Sequence, residues 1–213
     1  MINKLSVLAL LVFSFIIFGC GEKKSDSPQN ESSNNKSDLE NFADKMKDVS
    51  EGFKEGKKVN PVDFRELKAL LPESIGDLKR SNLEGEKVAA MGMNISHANA
   101  DYNDAEKNIS IDIKITDLGS VSGLSGLAAY GWYMVDIDKE NESGYEKTMT
   151  YKGNKGYEKF NNENKDGELS ILVAKRFVVE VNGNNVSMDQ MKAAVDMIDI
   201  GKLESWKDVG VEK

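Results

Sequence analysis

One cysteine, one histidine and three prolines are all that this chain of 213 residues contains of those types. A lone thiol, Cys20, cannot close an intrachain disulfide, so the fold must be held by its core alone. The same scarcity leaves too few imidazole and thiolate ligands for a conventional zinc site, and we expect neither a metal nor a cofactor. A Ser-His-Asp or Cys-His mechanism would have to pass through His97, and no nucleophile elbow accompanies it. A single histidine on a strand reads more simply as a structural or surface residue. Basic charge is also short: 36 Asp and Glu outweigh 28 Lys and Arg, a net charge of −8 that repels phosphate backbones and argues against nucleic acid as a partner. No apolar run reaches the roughly 20 residues of a membrane span; the stretch from Leu5 to Phe18 stops at about fourteen.

That stretch has another use. Lys4 supplies a positive leader, Leu5 to Phe18 an apolar segment of secretory length, and Gly19 a small residue before Cys20, after which the chain turns polar. Ile17-Phe18-Gly19-Cys20 resembles the lipobox of bacterial lipoproteins. The resemblance implies cleavage between Gly19 and Cys20, diacylglyceryl attachment to the Cys20 sulfur and acylation of the new amino terminus, which together anchor the protein to a membrane. Several acyl chains at about 0.8 kcal/mol per buried methylene make such an anchor effectively permanent. By the sorting rule of Gram-negative lipoproteins, Gly21 in place of Asp after the cysteine implies the outer membrane if the source is Gram-negative.

The composition then sets four segments: a leader over 1–19, a lipidated cysteine and flexible tether over 20–36, an amphipathic helix over 37–58 and an α+β domain over 59–213. The tether holds Ser, Asn, Lys, Glu and Asp but no aliphatic or aromatic side chain, so nothing offsets the entropy of ordering it. Ser37 and Glu40 form a capping-box pattern, and Leu39, Phe42, Met46, Val49 and Phe53 recur at helical spacing. A second helix is expected between prolines, capped by Asn60, begun by Pro61 and ended by Pro72, with Phe64, Leu67, Leu70 and Leu71 on its apolar face.

Beyond it the period changes to two. Ile109, Ile111, Ile113 and Ile115 alternate with polar residues, the mark of a strand with one buried face. Its upstream neighbour runs from Met91, Met93 and Ile95 into Ala98, Ala100 and Tyr102, with a bulge expected near His97 where the phase changes. The apolar segment 123–137, interrupted by Gly126 and Gly131, reads as a buried helix lying close to a sheet or as the wall of a binding site. Gly144 to Lys147 and Gly156 to Lys159 repeat the sequence Gly-Tyr-Glu-Lys and suggest one hairpin about a Gly153-Asn154 turn, pairing Tyr151 with Gly156 and Met149 with Glu158. Leu169–Val173 and Phe177–Val181 form the next pair, and a last helix starts at the Ser187/Gln190 capping box, buries Met188, Met191, Val195 and Ile198, and ends at Gly201. These elements predict an α+β fold with a single antiparallel sheet packed with helices. Their order resembles that of the PsbP and Mog1 group of domains, which includes some bacterial lipoproteins.

Chemistry is thinly signalled. Residues 162–167 echo the start of an EF-hand loop, but Val173 stands where its bidentate Glu belongs, and we read a solvated hairpin loop. The Gly- and Ser-rich stretch 119–126 lacks the Lys of a P-loop. Asp101 and Asp104 are carboxylates that could do acid-base work, without a pattern that selects them. Aromatic residues do cluster: Trp132, Tyr133, Tyr145, Tyr151 and Tyr157 fall in one quarter of the chain and are the candidate binding residues. The sequence therefore predicts a lipid-anchored envelope protein that binds a protein or other envelope component without catalysis. Two alternatives stay open, a carrier of a small or lipidic ligand and an enzyme using carboxylates or His97, and oligomeric state is open too. In a bacterial host the wild type should fractionate with membranes and incorporate labelled palmitate, whereas Cys20→Ser should lose both the label and leader cleavage; a soluble, unlabelled wild type would refute the anchor.

Overall fold

In the computed structural model, which describes residues 59–90, 93–119 and 130–212, the isoleucine alternation lies at the middle of a nine-stranded sheet. The elements are α1 (Phe64–Lys68), β1 (Ser74–Ile75), β2 (Leu78–Ala90), β3 (Met93–Asp104), β4 (Ile109–Asp117), a 3-10 turn (Gly131–Tyr133), β5 (Asp138–Asn141), β6 (Gly144–Tyr151), β7 (Asn154–Asn161), β8 (Asp166–Val173), β9 (Phe177–Asn184), α2 (Met188–Asp196) and α3 (Ile200–Ser205). Their order across the sheet is β1-β2-β3-β4-β9-β8-β7-β6-β5, and every neighbouring pair is antiparallel. The chain thus builds one meander out to β4, crosses to the far edge at β5, and walks back until β9 pairs with β4. The result is a mostly-β α+β fold with a few short helices. The lipobox cysteine, the tether, the helix over 37–58 and residues 120–129 of the apolar segment lie outside the described residues.

Period-two alternation gives the sheet two different faces. Ala98, Ala100, Tyr102, Ile111, Ile113, Ile115, Leu169, Ile171, Phe177, Val179 and Val181 point to one side and meet Leu67, Met188, Met191, Val195 and Leu203 from the helices and Leu71 from the bend after α1, which stops at Lys68 short of the expected Leu70 and Leu71. At about 1.5–3 kcal/mol for each fully buried large apolar side chain, this layer supplies the main drive to fold. Small Ala98 and Ala100 lie in the strand nearest α1, whose Phe64 side chain passes over Gly85. α2 begins as expected: Ser187 accepts from the Gln190 amide, and the Gln190 side chain accepts from the Ser187 amide.

Several local expectations are corrected. Asp63, not Asn60, caps α1, its carboxylate accepting from the Arg65 amide, so Pro61 precedes the helix instead of opening it. β3 runs through His97 with unbroken register; the irregularity is in β2, between Arg80 and Asn82. The phase change arises because Ser96 joins Ala98 on the buried face, opposite Asp117. In the β6–β7 hairpin the turn is Lys152-Gly153, with φ of 48° and 81°, so Tyr151 pairs with Asn154 and Met149 with Gly156. Both turn residues take positive φ, as a type I′ turn demands, and the two-residue shift leaves each side chain on its expected face. Met197 ends α2, while Gly201 sits inside α3. Gly131 belongs to a 3-10 turn and faces open space, so close helix packing does not explain it.

One buried ion pair ties these parts together. Asp117, at the end of β4, and Arg176, in the β8–β9 turn, are 0% and 3% exposed. Arg176 Nε donates to Asp117 Oδ1 at 2.8 Å and Nη2 to Oδ2 at 2.7 Å. Asp117 also accepts from the amides of Val62 and Gly119, at 2.8 and 2.9 Å. The remaining fork nitrogen, Nη1, donates to the carbonyls of Trp206, Lys207 and Val209. Gly119 is obligatory beside it, since φ is 48° and a Cβ would lie 2.0 Å from the Asn94 carbonyl. Truncating one partner leaves the other charged and buried, so Asp117→Ala or Arg176→Ala should each lower stability by about 3–5 kcal/mol in urea unfolding. The double variant should lose clearly less than the sum of the two.

Candidate binding face

The sheet face opposite the helices is where polar side chains collect. Because paired residues in neighbouring strands share a face, cross-strand register lines them into rows. One row runs through Glu146, Lys159, Glu168, Asn182, Asp112 and Asp101, and the next through Asn161, Asp166, Asn184, Ser110 and Asn103. Strand spacing of about 4.8 Å sets the pitch of each row. The groups partly satisfy one another: Asn184 donates to Asp166 at 2.8 Å, Asn82 to Asp101 at 3.1 Å and Asn103 to Ser81 at 2.7 Å. Several remain exposed, among them Asn82, Asn103, Ser110, Asn182 and Asn184. A shallow hollow of about 410 Å³ lies over Asp101, Asn103, Ser110, Asp112 and Asn182.

Asp101 finds its carboxylate neighbour in Asp112, directly across β3 and β4, and not in Asp104. Hydrogen bonds from Asp112 and then Asn82 hold Asp101 below the usual carboxylate range, while burial and then Asp101 itself push Asp112 up. The neighbouring carboxyls are thus pushed apart, Asp101 down and Asp112 up. Burial likewise raises Glu180, aided by Glu168 and Asp112 and opposed by Lys114. Two carboxyls side by side whose proton affinities are pushed apart are the pairing that acid-base chemistry uses. His97 lies on the same face with Nε2 3.6 Å from Glu86, 24% exposed, away from this pair.

The other half of this face is aromatic and largely covered. Trp132, in the 3-10 turn, stacks on Tyr157 at 6.0 Å and 17°, with Tyr130 and Tyr133 edge-on at 6.4 and 6.5 Å. Leu118, Leu172 and Val178 complete the cluster. Trp132 and Tyr157 are buried, so they form a satellite core and not an open wall. Burial pushes the hydroxyls of Tyr130 and Tyr157 up to about 12.

Tyr145 and Tyr151 lie on the helix face instead. The paired numbers in the β6–β7 hairpin sum to an odd value, so the two Gly-Tyr-Glu-Lys copies place Tyr145 and Tyr157 on opposite sides. Tyr151 donates to Asp196 at 2.7 Å and fastens α2 to the hairpin. Tyr145 packs against Phe160; both also border a concavity of about 450 Å³ whose lining comes mostly from the polar rows, with Glu146, Lys159, Glu168, Asn161 and Asp166. Nearby, Glu158 is 1% exposed between Lys147 at 3.0 Å and Lys192 at 2.9 Å. Burial pushes its carboxyl up, but the two ammonium groups outweigh this and hold it below the usual range. The expected solvated loop is present at 162–165, where Asn161 accepts from the amides of Glu163 and Asn164.

Sequence reasoning missed Asp112, Glu158, Asp117 and Arg176. A signal existed for Asp117, which continues the buried phase of Ile109 to Ile115 and so had to find a partner. Asp112 offers a pH test. A carboxyl raised in the folded state contributes stability below its ordinary value of 3.8 and loses it as pH rises through the folded value. Asp112→Asn should therefore be more stable than wild type at pH 7, by a margin that closes as pH falls toward 3; a constant difference would reject the raised Asp112 carboxyl.

Compared with known proteins, the chain matches no family model, no curated protein and no solved structure.

Proposed function

We propose that the protein is a lipid-anchored component of the bacterial cell envelope, held through Cys20, whose sheet domain is a non-enzymatic binding module. In this reading residues 20–36 are a flexible tether, residues 37–58 an amphipathic helix, and residues 59–213 the module. Placement at the outer membrane, should the source be Gram-negative, is part of the proposal, as is kinship with the PsbP and Mog1 group, which would carry no activity with it. The observation that supports binding is the two-row polar face, which offers fixed amide and carboxyl groups to a broad envelope partner. Polar groups held by β-strands are pre-oriented, so little is lost in ordering them on contact.

The concavity at the Glu146, Lys159 and Glu168 end of the polar rows favours a second reading, a carrier of a small ligand, since about 450 Å³ is within the range of small-molecule sites. A photo-crosslinking residue at Asn182, in intact cells, should give one defined adduct that the same residue at exposed Ala193 on α2 does not. Equal adducts from both positions, or turnover by the purified protein, would overturn the binding module. Native mass spectrometry of lipid-free protein would show a reproducible bound mass if the carrier reading holds.

A further inference from the structure

The two edges of the sheet are built differently. β5 is four residues long, exposed throughout and charged at Asp138, Lys139 and Glu140, the usual defence against strand addition. β2 is thirteen residues long, and β1 pairs only with Leu78 and Lys79. From Ser81 to Ala90, no strand among the described residues pairs with its outer side. Its inner side meanwhile pairs with β3 in unbroken register from Asn82↔Asp101 to Ala90↔Met93. This stretch is therefore regular and already extended, with a row of outward N–H and C=O groups in ladder geometry.

Charge along this edge is sorted by face. Position 85 faces α1, where a Cβ would meet the Phe64 ring at 2.9 Å, so Lys87 shares the helix side. Glu84, Glu86 and Val88 point to the opposite, open side, where Glu86 faces His97. Lys87 thus lies on the side of Arg65 and Lys68 of α1, and two carboxylates line the other. Val88 is 45% exposed and Ala89 is also exposed, so the edge has an apolar end that β5 lacks.

We propose that the outer edge of β2 is a docking site for an extended polypeptide segment that adds as a further strand, with basic side chains toward Glu84 and Glu86 and an acidic one toward Lys87. A second copy of the chain fits poorly. A two-fold axis normal to the sheet preserves its faces, so the central self-pairing registers set Glu86 against Glu86 or against Glu84 of the other copy. With a second copy disfavoured, the occupant we propose is a segment of a different chain with basic residues two apart. Glu84, Glu86 and Lys87 lie outside the polar rows, so the proposal stands or fails independently of the binding face.

The test uses the full chain and two synthetic peptides, Val-Glu-Lys-Thr-Lys-Val and its charge-reversed form Val-Lys-Glu-Thr-Glu-Val, both with blocked ends. The first should bind about ten-fold more tightly than the second, shift the backbone NMR signals of Ser81 to Ala90 and slow their hydrogen exchange. Glu84→Lys/Glu86→Lys, whose changes are confined to exposed side chains, should invert the preference while leaving the thermal midpoint near wild type. Equal affinity for both peptides, no binding of either, or signal changes confined to other strands would overturn the proposal.

Discussion

The fold is closed by the pair Asp117 and Arg176. Neither the carboxylate nor the guanidinium could be buried alone, and together they do more than cancel charge. Asp117 takes the amides of Val62 and Gly119, and Arg176 takes the carbonyls of Trp206, Lys207 and Val209, so two charged side chains satisfy backbone groups from the segment before α1, the β4 exit and the turn after α3. The adjoining Val59–Val211 bridge and the Asn60-to-Gly210 hydrogen bond lie in the same knot. An apolar pair of equal volume would orphan all of those backbone groups, so the usual argument that hydrophobic replacement is harmless does not transfer here. In a chain without a disulfide, this knot joins segments distant in sequence as a crosslink would.

The second constraint is the mismatch between a wide sheet and short helices. The core under β3, β4, β8 and β9 is apolar and covered, whereas the hairpin of β6 and β7 reaches beyond that centre. There the contact with α2 becomes polar: Glu158 is clamped by Lys147 of β6 and Lys192 of α2, and Tyr151 bonds Asp196. Each charged group in this seam has a partner from another element, so the seam specifies how α2 sits across the hairpin as well as holding it there. On the opposite face Trp132 does the equivalent work with rings, anchoring the return from β4 onto Tyr157.

How much of this was legible in the sequence depends on the range of the signal. The β4 alternation, the β8–β9 pair and the Ser187/Gln190 cap are written in neighbouring residues and appear as read. The turn at Lys152-Gly153 was misplaced by one residue because Gly-Asn is the commoner turn dipeptide, while Lys152 accepts a positive φ that no local rule announces. The apparent bulge at His97 was a polar residue, Ser96, entering the buried face beside the ion pair. Sheet order was not readable, since β4 finds β9 across a long crossover. For the same reason the aromatic residues, adjacent in sequence, looked like one site and are divided between two faces by the hairpin register. Asp101 and Asp112 show the converse: a pair created entirely by register between two strands.

Register also fixes where a partner could be met. The knot at Asp117 holds the chain's entry at one end of β4, while Asp112 and Ser110 lie five and seven residues down the same strand. At about 3.4 Å per residue, the two polar rows stand some 17 and 24 Å from the point where the preceding chain enters. The rows of Asn and Asp side chains thus lie toward the end of the sheet distant from the point where the chain enters. The aromatic half, nearest the entry, is then the half that is closed. That division follows from one physical fact: the strand end bearing the buried ion pair must be sealed from water, and the Trp132 segment and Leu118 extend the dry layer over it, so the polar groups are left at the other end.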